Sequence, residues 1–429
     1  MRILVHGINF RPELVSTGKY TGELADWLGQ RGHEVRVVTA PPFNPEGRVH
    51  KGYSGWRYRK ESPGTEKREN VTVYRCPLWV SRNPSALRRV VHLASFALSS
   101  LPVMFAQVFW RPALVLVVEP TTLCIPAALM AATLSGACSW LHVQDFEVDA
   151  GFAVGMLKSS VVKSVIAAIE QKLLAAFDRV STISPKMVDC LREKGFSSTR
   201  SVLFPNWVDT ERIFPRNDPS PLRNELGIPS DAIVVLYSGT MGRKQGLEVL
   251  VDAAERLAPN KRIQFVFCGE GAFRETLARR SAGLPNVRWL PLQPIEKLND
   301  LLNLADIHLL PQRSEIADLV MPSKLTGMLA SGRPVVTTAA EETQLALAVK
   351  DCGLRVPVGD LDALVVAVIR LATDTTLRAR LGSNARCFAE TTLDKEKILE
   401  TMEREVFRVT GEREIATTER KVSKSEILS

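Results

Sequence analysis

The 429-residue chain contains no Cys-x-x-Cys pair, no His-x-x-x-His spacing, no glycine fingerprint of the G-x-G-x-x-G type and no G-x-x-x-x-G-K-[ST] loop. Each absence removes a class of protein. Seven cysteines (Cys76, Cys124, Cys138, Cys190, Cys268, Cys352 and Cys387) are odd in number and scattered. That argues against a disulfide framework or a zinc site and for a reducing compartment. Six histidines without ligand spacing leave no transition-metal site to expect. Without either glycine motif the chain has neither a dinucleotide fingerprint nor a P-loop, which makes a nicotinamide enzyme a poor reading. No self-similarity at 20–50 residues points to a repeat protein. Met1-Arg-Ile-Leu-Val5 runs directly into a strand, so no signal peptide is expected.

What is present is ordinary globular composition, 45% apolar and 24% charged, in a length that suits two domains. The formal charge is +8, and residues 48–89 carry eleven Lys/Arg against three Glu, which accounts for all of it. A local basic patch implies an anionic partner such as phospholipid, nucleic acid or a polyphosphate, or else a solvated loop. The run Val90–Trp110 follows, 21 residues with no formal charge and long enough to cross a bilayer. A single crossing would put the strands expected at 71–75 and 114–118 on opposite sides of the membrane. The favoured reading is therefore a re-entrant or interfacial segment with Arg88, Arg89 and Arg111 at the headgroups; a buried core segment is the alternative.

Short apolar runs alternate with amphipathic segments throughout. Strands are expected at 3–5, 34–39, 71–75, 114–118, 139–143, 179–183 and 201–204, with a first helix over 19–30. Residues 209–231 hold four prolines and no sustained period and read as a linker. A second series follows, with strands at 232–237, 263–268, 287–290, 307–310 and 334–337 and helices at 247–257, 274–280 and 361–372. The pattern predicts two doubly wound α/β domains, 1–206 and 230–390, joined by a linker at 207–229. A further helix at 391–410 and a mobile tail at 411–429 complete the chain. Ligands are expected at the carboxyl ends of the strands, in a cleft between the domains.

Four places carry candidate chemistry. Gly18 and Lys19 stand where the loop 9–18 enters the first helix, although a plain turn glycine reads equally well. The loop Ser238–Gly246 brings three glycines together with Arg243 and Lys244 at a helix start, a combination that suits a diphosphate. In Met321-Pro-Ser-Lys324, Pro322 and Ser323 look like helix-start residues. Lys324 then falls in the first turn, where a cation is unfavourable unless an anion binds there. Finally, His142, Asp145 and Glu147 follow a strand and enter a loop, where Asp145 is as readily a capping residue as a catalytic one.

In this order and spacing the chain resembles the retaining glycosyltransferases of family 4, which have the GT-B fold, and within them the colanic-acid and exopolysaccharide type. The resemblance rests on Phe10-Arg-Pro-Glu13 with Thr17-Gly-Lys19, Arg31-Gly-His-Glu-Val35, and Thr39-Ala-Pro-Pro42. It continues through His142–Glu147, Phe204-Pro-Asn-Trp-Val-Asp209, Gly239–Gly246 and Pro322–Val336. It implies two facing Rossmann-like domains and a nucleotide-diphosphate sugar donor, with no metal and no other cofactor. Gly18 would approach the donor phosphates. Gly239, Gly242, Arg243 and Lys244 would receive them, with Ser323 and Lys324 beside them. Asn206 would shape the sugar site and Asp145 would stand against the reacting sugar. Thr240 and Gln245 occupy places where many relatives carry Arg and Lys, and Leu319 and Gly327 stand at the places of the family's glutamate pair.

The implied reaction is transfer with retention, with fucose from GDP-fucose among the donors. The acceptor would be a polyprenyl-diphosphate-linked saccharide at the anionic inner-membrane surface, with the enzyme cytoplasmic and peripherally bound and no nucleic acid as partner. A sugar-nucleotide 2-epimerase and a non-catalytic membrane-associated binding subunit are the competing readings.

Overall fold

The computed structural model describes residues 1–13, 16–44, 47–62, 70–81, 86–119, 122–146, 160–242, 245–313 and 321–427. Arg243, Lys244, Glu147 and Leu319 lie outside the described residues. The chain forms two units, one of Met1–Pro205 with the chain from Leu399 onward, the other Asn206–Ile398.

The first unit is built on an eight-stranded sheet in the order β3-β4-β2-β1-β5-β6-β7-β8. These are β1 (Arg2–His6), β2 (Glu34–Thr39), β3 (Arg59–Glu61), β4 (Val71–Arg75), β5 (Leu114–Val118), β6 (Cys138–Val143), β7 (Arg179–Thr182) and β8 (Ser201–Leu203). All pairings are parallel except β3 with β4. Buried strands of a parallel sheet read as continuous apolar runs, as in Leu114–Val118, every residue of which is buried. β3 is a short, charged edge strand, Arg-Lys-Glu, and no apolar pattern announced it.

The apolar segment forms one helix, α2 (Ala86–Val108), following α1 (Ser16–Gln30). α2 is long and apolar enough to cross a membrane by length and composition, yet one of its faces belongs to the core. Phe96, Ser100, Met104 and Gln107 are buried. His6 Nε2 lies 3.1 Å from Ser100 Oγ, and Arg36 donates to Gln107 Oε1 at 3.0 Å. The other face leaves Leu87, Val91, Leu98, Leu101 and Phe105 exposed at helical spacing, with Phe109 exposed just past the end of the helix. Strands β4 and β5, on either side of α2 in the chain, share one sheet, so the topological objection to a crossing holds.

The second unit has a six-stranded parallel sheet in the order β11-β10-β9-β12-β13-β14. Its strands are β9 (Ile233–Ser238), β10 (Ile263–Cys268), β11 (Val287–Leu290), β12 (Ile307–Pro311), β13 (Val335–Thr338) and β14 (Gly353–Val356). β9 is central and its neighbours leave in opposite directions along the chain, the topological switch that places a ligand at its carboxyl end. Residues 207–229, expected as a linker, are part of this unit. Val208, Ile213, Leu222 and Ile228 enter its cores, and Arg386 donates to the carbonyls of Thr210 (3.0 Å) and Ile213 (2.7 Å). Prolines interrupted the periodicity there without removing the apolar anchors.

The final helix, Lys395–Ile427, replaces both the expected helix 391–410 and the backbone of the expected tail. From Leu399 it belongs to the first unit, where Glu403 bonds His33 Nε2 at 2.8 Å and Arg31 at 3.0 Å. Arg179 reaches Glu405 at 3.3 Å and Glu412 at 2.9 Å. These ion pairs, with Arg408 against Glu405 and Glu412, hold a polar sequence helical beyond residue 410.

His6, His142 and His308 are buried, and burial pushes each down to about 3. Between pH 6.5 and 3 the folded chain therefore binds fewer protons than the unfolded one, and stability falls as the pH falls. Each ring contributes about 1.4 kcal/mol per pH unit in that window. The apparent Tm of the second unit is expected to drop between pH 7.5 and 5, and to drop less in His308→Leu. Calorimetry giving parallel pH dependences for the two proteins would refute this origin.

Candidate functional site

At the carboxyl end of β9 the chain turns into the loop that leads to the helix Glu248–Leu257. The loop is seated on its neighbour from β10. Gly239 N–H donates to Cys268 O at 2.9 Å, Met241 N–H to Glu270 O at 2.8 Å, and Phe273 N–H to Met241 O at 3.0 Å. Gly269 and Gly271 have φ of +141° and +151°, and a Cβ on either would lie 2.0 Å from Gly239 O or 2.2 Å from Met241 O. Both positions demand glycine, because side chains avoid this backbone region and no space exists for one. The two loops are thus locked together.

Lys324 closes the arrangement. It is the first residue of the helix Lys324–Ala330, directly after Ser323, as the sequence predicts. Its Nζ donates to Tyr237 Oη at 2.8 Å and sits 4.4 Å from the ring centroid; Tyr237 in turn donates to Thr240 O at 2.7 Å. A Cβ on Gly239 would come within 3.1 Å of Nζ and 3.3 Å of Cε, so the bare glycine lets the lysine lie against the loop. Among the described residues no carboxylate pairs with Lys324. Burial pushes its ammonium down to about 8 and raises the Tyr237 phenol well above its usual range. A desolvated cation with no counter-charge among the described residues, held at a strand end beside glycine-rich backbone, is suited to an anionic ligand.

The structure brings Gly239, Gly242, Ser323 and Lys324 into this one unit and qualifies the role of Gly242. Its N–H already bonds Gln245 Oε1 at 3.0 Å, so a diphosphate reaching that amide displaces the carboxamide. Two nearby residues escaped the sequence reading. Tyr237 read as an ordinary core aromatic of a strand. Arg313 lies with Cγ 3.3 Å from where a Cβ of Gly246 would be, and pairs with Glu248 at 3.5 Å. Gly269-Glu-Gly271, at a second strand end, was the available signal for the partner loop.

The remaining candidates belong elsewhere. Asn206 is buried at the start of the second unit. In the first unit α1 begins at Ser16, placing Gly18 inside its first turn. A Cβ on Gly18 would lie 2.8 Å from Glu13 Oε2. Glu13 is buried and accepts from Phe43 N (2.8 Å), Asn44 N (3.0 Å) and Asn9 Nδ2 (2.9 Å), so packing of this carboxylate explains the glycine. Lys19 pairs with Glu23 at 3.9 Å. Asp145 follows β6, half-buried. His142 is corrected to a core residue: Gln144 Nε2 donates to its Nε2 at 2.8 Å, its Nδ1 lies 2.9 Å from Ser181 Oγ, and its ring packs on Phe204. A ring held neutral down to about pH 3 is no acid catalyst.

Comparison with known proteins agrees with this layout. Residues 17–207 match the glycosyl transferase 4-like domain, and residues 232–374 match glycosyl transferases group 1. WcaI of Escherichia coli (strain K12), named a colanic acid biosynthesis glycosyl transferase, is 41% identical over 409 residues, 93% of this chain and 98% of that protein. Among solved structures, sucrose-phosphate synthase from Thermosynechococcus elongatus superposes with a TM-score of 0.74 at 18% identity, covering 96% of this chain and 99% of the other. WaaG, a glycosyltransferase involved in lipopolysaccharide biosynthesis, gives 0.67 at 17% identity over 95% and 100% of the two chains. HepE of Anabaena, in complex with UDP and glucose, gives 0.67 at 16%, also over 95% and 100%. With two doubly wound units, a glycine-rich loop at the switch strand of the second and a relative matched along nearly its whole length, the chain belongs to the family-4-like glycosyltransferases of the GT-B fold.

Proposed function

We propose that this glycosyltransferase moves a sugar, with retention at the anomeric carbon, from a nucleotide-diphosphate donor to a polyprenyl-diphosphate-linked saccharide in the synthesis of a colanic-acid-like exopolysaccharide. The observation that carries the donor half is Lys324, a desolvated ammonium on Tyr237 without a carboxylate among the described residues. The whole-length match to WcaI supports the polysaccharide class, and the UDP complex of HepE supports the donor class.

As the bond to the leaving diphosphate breaks, negative charge grows on its oxygens and oxocarbenium character on the sugar. Lys324 supplies a cation against the first, joined in this reading by Arg243 and Lys244 and by the backbone of Gly239 and Gly242. Ser323 and Asn206 border the phosphate and the sugar. Gly18 and Lys19 are assigned to the donor phosphates in this reading, and Asp145 orients the acceptor hydroxyl, which attacks from the face the diphosphate leaves. The exposed apolar stripe of α2, with Arg88 and Arg89 in the first turn of the helix and Arg111 beyond its end, fits the cytoplasmic surface of an anionic membrane.

The first test is release of nucleoside diphosphate from UDP- and GDP-sugars, with and without a polyprenyl-diphosphate-sugar in detergent. Acceptor-dependent release with one donor, lost in Asp145→Ala, is the expected result. Nucleotide binding without any turnover would leave only a binding subunit. Lys324→Ala should cost about 2–4 kcal/mol in kcat/KM, roughly thirty- to a thousand-fold. Because the protonated amine is the useful form, wild-type kcat/KM should fall as the pH rises through about 8, a limb absent from Lys324→Arg. An unchanged limb in the arginine variant removes Lys324 from this role. Co-sedimentation with phosphatidylglycerol-containing vesicles should fall at least tenfold in Leu98→Glu and Phe105→Glu, which alter exposed positions; equal binding rejects α2 as the docking face.

A further inference from the structure

In the first unit, far along the chain from the β9 loop, residues before β3 and the end of β4 enclose a cavity of about 330 Å³ lined by Tyr53, Ser54, Arg57, Tyr58, Arg59 and Arg75. Its construction is specific. Two guanidinium groups approach the Tyr53 ring, that of Arg59 at 5.1 Å and that of Arg75 at 5.2 Å from its centroid. Arg75 is 3% exposed and fixed by Ala40 O at 3.0 Å and Glu61 Oε1 at 3.2 Å. Arg59 donates to Gly52 O at 3.1 Å and lies 3.6 Å from the same Glu61 oxygen. One carboxylate is therefore shared by two of the arginines. Arg57 is exposed and has neither a carboxylate nor a hydrogen-bond partner among the described residues. The lining thus keeps an excess of positive charge, with the Tyr53 phenol and the Ser54 hydroxyl as further donors.

The cavity is also tied to the apolar helix. Tyr58 Oη donates to Ser99 O, in the middle of α2, at 2.8 Å, and Leu78 N donates to Gly55 O at 2.8 Å. On α2 itself Leu98 is 67% exposed and Phe105 49%, while Trp56, in the cavity's own loop, is 76% exposed. Indole rings favour the boundary between water and hydrocarbon. Guanidinium groups match pairs of phosphate oxygens, and two phosphates suit several cations better than one carboxylate does. An anion socket fastened to an unpartnered apolar stripe fits a ligand that is anionic at one end and hydrocarbon at the other.

We propose that this cavity receives the diphosphate of the polyprenyl-diphosphate-linked acceptor, with the hydrocarbon lying along the exposed face of α2. The assignment rests on the lipid-linked reading of the acceptor and adds the place where its charge is held. The socket carries recognition only; its residues take no part in bond breaking at the donor.

Equilibrium dialysis of the full chain against farnesyl diphosphate below its micellar concentration tests this, with farnesol and inorganic pyrophosphate as separate arms. Farnesyl diphosphate is expected to bind at least tenfold more tightly than either arm. Arg57→Gln should weaken it about tenfold and Arg57→Lys less, while Leu98→Glu should weaken farnesyl diphosphate and leave pyrophosphate unchanged. Equal binding by wild type and Arg57→Gln overturns the socket. Pyrophosphate matching farnesyl diphosphate overturns the lipid assignment in favour of a free anion, and farnesol matching it leaves only an apolar surface. Unchanged thermal unfolding of Arg57→Gln, expected for an exposed residue with no partner among the described residues, separates binding from folding. No donor is needed in these arms, so failure of the socket is distinct from failure of transfer, which nucleotide release reads.

Discussion

An ammonium group removed from bulk water, with no acid among the described residues to balance it, is the constraint around which the second unit is organised. Lys324 keeps its position because its stem lies on Gly239 and its head on Tyr237 Oη. Tyr237 keeps its own because its hydroxyl is spent on Thr240 O. The loop they share is pinned in turn to Gly269 and Gly271. Each contact is modest alone, on the order of 1 kcal/mol for a hydrogen bond. Together they prevent the lysine from swinging into solvent, where its charge would be hydrated and of little use to a ligand.

Buried charge in the first unit is handled in the opposite way. Glu13 is satisfied by three N–H groups, Arg75 by Glu61 and a carbonyl, and Arg179 by two glutamates of the last helix. Such internally compensated groups hold loops and helices in place and have little left for a ligand. The contrast separates structural from functional charge better than burial does. By that criterion Lys324 and Arg57 stand apart: one is desolvated, the other exposed, and neither faces a carboxylate among the described residues.

Much of the fold was legible because parallel strands are buried on both faces and write themselves as apolar runs. EVRVVT and IQFVFC both became strands at the residues expected. The charged edge β3 carried no such signal. The proline-rich stretch after Asn206 misled because proline breaks periodicity, while the contacts that dock it come from isolated side chains such as Ile213 and Leu222. Within the site, Ser323 and Lys324 were readable as a helix start in conflict with its own charge. Tyr237 was not, since an aromatic residue at a strand end carries no mark of what its hydroxyl meets. His142 shows the converse, a titratable residue beside a promising loop whose environment, hidden from the sequence, makes it inert.

The last helix has a consequence for the order in which the protein is made. The first unit is discontinuous: its sheet is complete by Leu203, but the helix that supplies Glu403, Glu405 and Glu412 to His33, Arg31 and Arg179 emerges only after the second unit has been translated. Asn206–Ile398 is one uninterrupted segment and can finish folding while the ribosome is still adding residues. The unit begun first must wait, with Arg179 and His33 lacking their partners, until the whole of the second unit has been read.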